Sequence, residues 1–305
     1  QLAHAFELGF TLPADGPPLP EGFDPNGPGW RVFNAVSLHQ RTEWRSLQPD
    51  GPADFASRRV RAALVSAAEV GLKARWGSLV PGSVVDLPEW TVPLRGADLH
   101  RVASDYLDRV VRTYGGAVAG LDLAGRTSDG RLGAALVRLL GQEADSLAPG
   151  TPVNLAYSGT LHGAGALDAF RRADAAAKQY VGHAGVTLGD YLPYPLPEDL
   201  EEAVTRWGKL RVPAVVCPLE VGAAAVRPEG MRRVLTMLFS QPWVEGIYFG
   251  EPTAAGAGDP TAALFDDAGT PTAAGATVDA LFGERWWTDE RVTADVAGHA
   301  RARVF

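Results

Sequence analysis

Three carboxylate residues stand at or just beyond the ends of short β-rich runs in this sequence: Asp122, Glu220 and Glu251. Carboxyl groups held in pairs can carry acid–base catalysis, because one accepts a proton while the other donates one. Glycoside hydrolysis uses such a pair, with the two groups about 5–10 Å apart. The alternative role for each of these residues is a structural hydrogen bond within the core.

Cationic and aromatic side chains lie near the same strand ends. Arg75, Arg126 and Glu251 are expected to form an ion-pair network there. Aromatic rings can stack on the apolar faces of sugars, although packing in the core is their commoner use. The aromatic candidates are Trp76, Tyr157 and Tyr248.

No metal or cofactor site is indicated by the sequence. The six His residues show neither His-x-His nor His-Glu-x-x-His spacing, the patterns typical of zinc ligands. Cys217, the single cysteine, falls in a predicted buried strand and is interpreted as a small core residue. No Gly-x-Gly-x-x-Gly loop follows a strand, so a dinucleotide cofactor is not expected.

Charge and hydropathy exclude two classes of partner. The formal net charge is −8 and no basic run is present, which argues against nucleic-acid binding. No apolar stretch approaches the roughly 20 residues that a membrane-spanning helix needs.

The elements that must position these side chains alternate between strand and helix. Helical spacing covers Arg58–Val70, Gly133–Ser146, Gly165–Lys178, Glu198–Trp207 and Thr272–Phe282, with further helices around Leu99–Val110 and Met231–Leu238. Eight strands are predicted, at His4–Phe10, Phe33–Leu38, Leu72–Val80, Ala117–Leu123, Val153–Tyr157, Tyr180–Thr187, Ala214–Val221 and Gly246–Gly250.

Eight βα units in a chain of 305 residues predict one α/β domain, a (β/α)₈ TIM barrel spanning 1–305. An open doubly wound sheet is the alternative. The Pro- and Gly-rich stretch 13–29 is expected to be a surface loop.

Seven segments, in order along the chain, carry a resemblance to a known family: His4–Phe10, Phe33–Val36, Glu43–Trp44, Pro88–Trp90, Ala117–Asp122, Val212–Val221 and Trp286–Asp289. Together they resemble glycoside hydrolase family 10, the family of endo-1,4-β-xylanases. The resemblance implies a barrel, a polysaccharide substrate and a location outside the cell or at its surface. It also implies that Trp286 and Trp287 plug the core beside a terminal β segment at 286–305.

The two catalytic glutamates that the resemblance implies are replaced. Arg126 occupies the position of the acid/base after the fourth strand, and Pro218 occupies that of the nucleophile on the seventh. Arg cannot protonate a leaving group at physiological pH, and Pro has no nucleophile. The positions that hold the sugar also differ, since His39, Gln40 and Glu43 stand where the family has Glu-Asn and then Lys.

The sequence therefore favours a non-catalytic xylanase-like barrel that binds carbohydrate or serves as a structural scaffold. The alternative is a glycoside hydrolase with relocated carboxylates, drawn from Asp122, Glu220 and Glu251. A polysaccharide or other protein subunits are the partners expected.

Overall fold

Eight parallel strands close into a barrel in chain order, which confirms the predicted (β/α)₈ fold. The computed structural model describes residues 6–80, 87–124, 134–158, 161–177, 185–193, 196–221, 228–254 and 263–286. The strands are β1 Glu7–Thr11, β2 Ala35–Ser37, β3 Lys73–Ser78, β4 Gly120–Ala124, β5 Val153–Ser158, β6 Val186–Leu192, β7 Ala214–Val221 and β8 Val244–Phe249.

The helices pack around the barrel through one apolar face each. The longest, Gly96–Tyr114, buries Leu99, Val102, Tyr106 and Val110, which recur every three or four residues and so share one face. The helices are α1 Trp44–Leu47, α2 Arg58–Glu69, α3 Gly96–Tyr114, α4 Ala134–Leu147, α5 Gly163–Ala177, α6 Leu200–Gly208, α7 Pro228–Phe239 and α8 Ala273–Ala280, with a π-helical turn at Leu281–Arg285.

Side chains alternate along each strand between the helical shell and the barrel interior. On β4, Leu121 and Leu123 belong to the main hydrophobic core, whereas Asp122 between them contacts Arg75 inside the barrel. The interior also holds a small apolar cluster that includes Cys217 and Tyr248. Polar and charged side chains therefore lie in the interior of the barrel, and the apolar core lies between the strands and the surrounding helices.

Two inward-facing glycines make room for neighbouring groups. A Cβ added at Gly9 of β1 would lie 2.5 Å from the Tyr248 ring, and one at Gly77 of β3 would lie 2.2 Å from the His39 Cα. Any side chain at these positions would collide, so glycine lets Tyr248 fill the interior and lets the chain after β2 cross β3.

The position predicted for the sixth strand is wrong. The prediction ended at Thr187, whereas β6 runs from Val186 to Leu192 and pairs with β7 as far as Val221. A register shift between Leu188 and Asp190 lets pairing continue past the point where the sequence suggested an end. The other predicted strands overlap the observed ones, and Tyr180–Ala184 lies outside the described residues.

The stretch 13–29 runs mostly exposed or half-buried along the surface. Arg41 fastens it by donating hydrogen bonds to the carbonyls of Pro13 (2.7 Å) and Pro17 (2.6 Å). At the other end of the chain, Trp286 is half-buried and stacks on Phe239, with ring centroids 4.5 Å apart. Trp287 and the rest of the expected segment 286–305 lie outside the described residues.

Candidate functional site

An ion pair is buried inside the barrel between Arg75 of β3 and Asp122 of β4. The Arg75 Nη2 lies 2.6 Å from Asp122 Oδ1, and Nε lies 3.1 and 3.0 Å from the two carboxylate oxygens. The Thr187 hydroxyl donates to Asp122 Oδ1 at 2.6 Å, and Asn154 Nδ2 donates to the Thr187 oxygen at 3.2 Å. The Arg75 and Asp122 side chains are 3% and 1% exposed. Four consecutive strands, β3 to β6, are thus joined by one polar network.

The charge interactions within this pair determine the pKa of Arg75 and limit access to Asp122. Burial lowers the pKa of the Arg75 guanidinium, but Coulombic attraction and hydrogen bonding by Asp122 more than offset it, so the pKa is raised. Asp122 is covered by Arg75 and Thr187 and has almost no contact with solvent. Proton exchange between Asp122 and a substrate would require the pair to break.

Arg75 forms different ion pairs from those predicted for a network of Arg75, Arg126 and Glu251. Arg75 points inward from the middle of β3, and its ion-pair partners are Asp122 and, at 4.0 Å, Glu7. Glu251 follows β8 at the carboxyl-terminal end of the barrel, whereas Glu7 begins β1 at the amino-terminal end. Arg126 lies outside the described residues.

Tyr248 is an interior residue. Its ring is fully buried, and its hydroxyl donates to Glu7 Oε2 at 2.7 Å. Burial, reinforced by the nearby Glu7 carboxylate, raises the pKa of Tyr248 well above its usual value. The side chain therefore fills the barrel and does not present a face to a sugar.

Trp76 and Tyr157 face the helical shell and not the cleft, because both occupy outward positions on their strands. The fully buried Trp76 stacks on Tyr114 of α3, with ring centroids 5.1 Å apart. The ring centroid of Tyr157 in β5 lies 6.0 Å from that of Trp207 in α6. Both rings pack strands against helices, which corrects their assignment as sugar-stacking candidates.

The residues after β2 lie at the carboxyl-terminal end, where barrel active sites are built. His39 begins a 3₁₀ turn, His39–Thr42, and is half-buried over Gly77. The backbone of Gln40 belongs to the same turn. Glu43 pairs with Arg45 on the surface, 2.8 Å from Oε2 to Nε. His39 is therefore the member of this set that lies over the end of a neighbouring strand.

The ends of β6, β7 and β8 bring together an exposed aromatic residue and two carboxylates. Tyr191 of β6 is in register with Glu220 of β7, and both are exposed, Tyr191 by 53%. Glu220 packs against Gly250, and the Gly250 amide donates to the Leu219 carbonyl at 3.2 Å. Glu251 comes next in the chain and lines a cavity of about 370 Å³ beside the stretch 13–29.

A His–Asp pair at the same end was missed by sequence reasoning. His162 Nδ1 lies 3.3 Å from Asp190 Oδ2, and Asp190 also accepts hydrogen bonds from the amides of Leu161 and, at 2.8 Å, Tyr191. Asp190 is buried, whereas the His162 side chain is 28% exposed. Ending the sixth strand at Thr187 left Asp190 and Tyr191 outside it. The available signal was an aromatic residue next to an aspartate at a strand end.

Pro218, which the sequence predicts to stand in the nucleophile position, is half-buried within β7 and follows a cis peptide bond from Cys217. The Cys217 thiol faces the interior near Ser37 and Thr11, and burial together with Asp122 raises its pKa to about 12. A thiol with so high a pKa is protonated at neutral pH and is a poor nucleophile. Neither residue supplies nucleophilic chemistry to the site.

Within the described ranges, no group of three or more His, Cys, Asp or Glu side chains is placed to hold a metal ion. In the same residues, no helix is both long and apolar enough to cross a membrane.

Comparison with known proteins identifies relatives by fold. No protein-family model and no curated protein matches the sequence. Among solved structures, xylanase 10B from Thermotoga petrophila RKU-1, in complex with xylobiose, matches with a TM-score of 0.77 at 15% identity, covering 92% of this chain and 95% of that one.

A glycosylated endo-β-1,4-xylanase of glycoside hydrolase family 10 from Gloeophyllum trabeum matches with a TM-score of 0.70 at 20% identity, covering 82% and 87%. A thermostable mutant of a xylanase from Cellvibrio japonicus matches with a TM-score of 0.74 at 15% identity, covering 92% and 98%. The resemblance to family 10 xylanases is thereby confirmed at the level of the fold.

Proposed function

We propose that this barrel, which has the fold of the family 10 xylanases, is a non-catalytic carbohydrate-binding protein. The observation that carries the proposal is the exposed Tyr191 in register with Glu220 at the carboxyl-terminal end of the barrel. A location outside the cell or at its surface is part of the proposal and rests on the resemblance to xylanases.

The side chains at this end suit recognition of a sugar. The Tyr191 ring offers an apolar face with a polar hydroxyl at its edge, which complements the mixed surface of a pyranose. Glu220 can accept hydrogen bonds from sugar hydroxyls. His162 Nδ1 lies 3.3 Å from Asp190 Oδ2, and the partly exposed imidazole adds a second polar group to this end of the barrel. Sugar binding at this end needs no proton transfer.

Two features support the absence of hydrolysis. Retaining hydrolysis needs two carboxyl groups about 5–5.5 Å apart beside the scissile bond. Asp122 is engaged with Arg75 inside the barrel and has almost no solvent exposure. Pro218 occupies the position where the family has its nucleophile, and Arg126 that of the acid/base.

Binding is tested with xylohexaose as the probe, by isothermal titration calorimetry. Loss of a stacked ring removes about 0.5–1.5 kcal/mol beyond its buried area, so Tyr191→Ala is expected to weaken binding about tenfold. Tyr191→Phe keeps the ring and should bind nearly as well as the wild type. Leu167→Ala, which truncates an exposed residue of α5, is the matched control.

Equal affinity of Tyr191→Ala and the wild type would contradict the placement of the site. No binding of xylohexaose by the wild type would contradict the function itself.

The relocated-carboxylate alternative rests on one observation. Glu220 and Glu251 follow the neighbouring strands β7 and β8 at the same end of the barrel. If they form a catalytic pair, the wild type at high concentration should release reducing sugar from xylan above a heat-killed control, and Glu220→Gln should abolish the release. The binding proposal expects no release from either protein.

A further inference from the structure

A cavity of about 730 Å³ lies at the amino-terminal end of the barrel, opposite the carboxyl-terminal end described above. Its walls come from positions where strands begin, including Glu7 of β1 and Val244 of β8, and from Ala119, Pro152 and Pro213, which precede β4, β5 and β7. Its volume falls within the range of about 300–1,000 Å³ that is typical of small-molecule sites.

Two deeply buried polar groups line this cavity: Arg75 and Asn154 are 3% and 5% exposed. Arg75 gives Nε and Nη2 to Asp122, and Nη2 also to Thr187. Its Nη1 has the Glu7 carboxylate at 4.0 Å, beyond hydrogen-bond distance. Asn154 donates Nδ2 to Thr187. Arg75 and Asn154 therefore belong both to the buried polar network and to the wall of the cavity.

Glycines stand beside both of these groups. A Cβ at Gly120 would lie 2.6 Å from Arg75 Nη1, and one at Gly185 would lie 2.5 Å from Asn154 Oδ1. The two glycines thus let a donor, Arg75 Nη1, and an acceptor, Asn154 Oδ1, lie against the backbone, and both residues are hydrogen-bonded to Thr187 through their other nitrogens. A hydroxyl group donates and accepts at once, so it satisfies such a pair, whereas a purely cationic or purely anionic group satisfies half of it.

The charge and the apolar surface of the cavity further restrict the chemical class of ligand that it can bind. Glu7, Asp145 and Glu245 line it, while the charge of Arg75 is compensated by Asp122. The resulting excess of negative charge disfavours anions, and the three carboxylates can accept hydrogen bonds from hydroxyls. Apolar walls, contributed by Phe6, Val215 and the prolines, suit the carbon skeleton of a ring.

We propose that this cavity is a second binding site, which takes a small, neutral, polyhydroxylated molecule. Arg75 Nη1 donates to one hydroxyl of the ligand, Asn154 Oδ1 accepts from the same or an adjacent hydroxyl, and Glu7 accepts from another. The site is independent of sugar binding at the carboxyl-terminal end, because the two lie at opposite ends of the barrel.

Saturation-transfer difference NMR on the full chain, followed by calorimetry, tests the proposal. The probes are D-xylose, D-glucose and myo-inositol, with D-glucose 6-phosphate and putrescine as the charged comparisons. Ala119→Phe fills the cavity from a half-buried position, and Asn154→Leu removes the acceptor. Ala97→Phe makes the same substitution at an exposed position of α3 and is the control. Circular dichroism checks that each variant is folded.

We expect at least one neutral probe to bind the wild type and the Ala97→Phe protein equally. Ala119→Phe should abolish this binding, and Asn154→Leu should weaken it about tenfold. Tyr191→Ala should leave it unchanged, which separates this site from the one at the carboxyl-terminal end. If Asn154→Leu does not fold, Ala119→Phe still decides the question.

Three results would each overturn the proposal. The first is that no neutral probe binds the wild type, or that only putrescine or the phosphorylated sugar binds. The second is that binding persists undiminished in Ala119→Phe. The third is that Tyr191→Ala removes the binding, which would assign it to the opposite end of the barrel.

Discussion

Replacing Asp122 with Asn tests whether the buried ion pair holds the barrel interior together. The substitution keeps the shape of the side chain and one oxygen acceptor, but it removes the negative charge opposite Arg75. Because the Arg75 side chain is 3% exposed, its charge would then have no compensating partner at hydrogen-bond distance. Without Asp122, burial lowers the pKa of Arg75, but a guanidinium still keeps its proton at neutral pH, so the charge remains.

The magnitude follows from the burial of both partners. Removing one member of a buried pair costs about 3–5 kcal/mol, since the other charge stays buried without its partner. Asn can still accept from Thr187 or Arg75, so we expect the lower end of that range, about 3 kcal/mol. That is a large fraction of the roughly 5–15 kcal/mol by which a typical domain is stable.

Urea denaturation followed by circular dichroism measures the effect. Asp108→Asn is the matched control, because Asp108 pairs with Arg112 at 2.7 Å on the exposed face of α3. An exposed pair of this kind contributes about 0.5 kcal/mol or less. Arg75→Met combined with Asp122→Leu removes both charges and should cost less than Asp122→Asn alone. If Asp122→Asn and Asp108→Asn lower the free energy of unfolding equally, the reasoning is refuted.

Three further outcomes are expected. Ellman's reagent should react with Cys217 only after unfolding, because the thiol is buried and burial raises its pKa to about 12. The stability that the protonated thiol contributes is complete below its unfolded pKa of 9 and is lost as pH rises toward 12. Cys217→Ala should therefore flatten the decline of the unfolding midpoint between pH 9 and pH 12. Gly77→Ala should lower the free energy of unfolding by about 1–3 kcal/mol, since its Cβ would collide with the His39 Cα; thermal denaturation measures this, with Gly51→Ala, where a Cβ meets nothing, as control. Pro218→Glu alone should leave xylan hydrolysis at background in a reducing-sugar assay, because one carboxylate does not complete a retaining pair.

Local patterns in the sequence are sufficient to predict the barrel. Each strand has an apolar outer face and each helix an apolar stripe. Both patterns are local, so the alternation of strands and helices can be read from the sequence. The replacement of both catalytic glutamates, by Arg126 and Pro218, stays a prediction from the sequence. The ends of strands are not fixed by these local patterns. Because the predicted sixth strand ended at Thr187, it left out Asp190 and Tyr191.

Strand pairing in the folded barrel determines which face of a strand each side chain occupies and which distant residues it contacts. Trp76 and Tyr157 resemble sugar-stacking residues in the sequence, but strand pleating turns both toward the helices. Asp122 resembles a cleft carboxylate until Arg75, 47 positions earlier in the chain, is brought within 2.6 Å of it. A shift of one residue reverses the direction of every side chain in a strand, and partners distant in sequence meet only when the barrel closes. Local patterns therefore specify the fold, while closure of the barrel specifies the site.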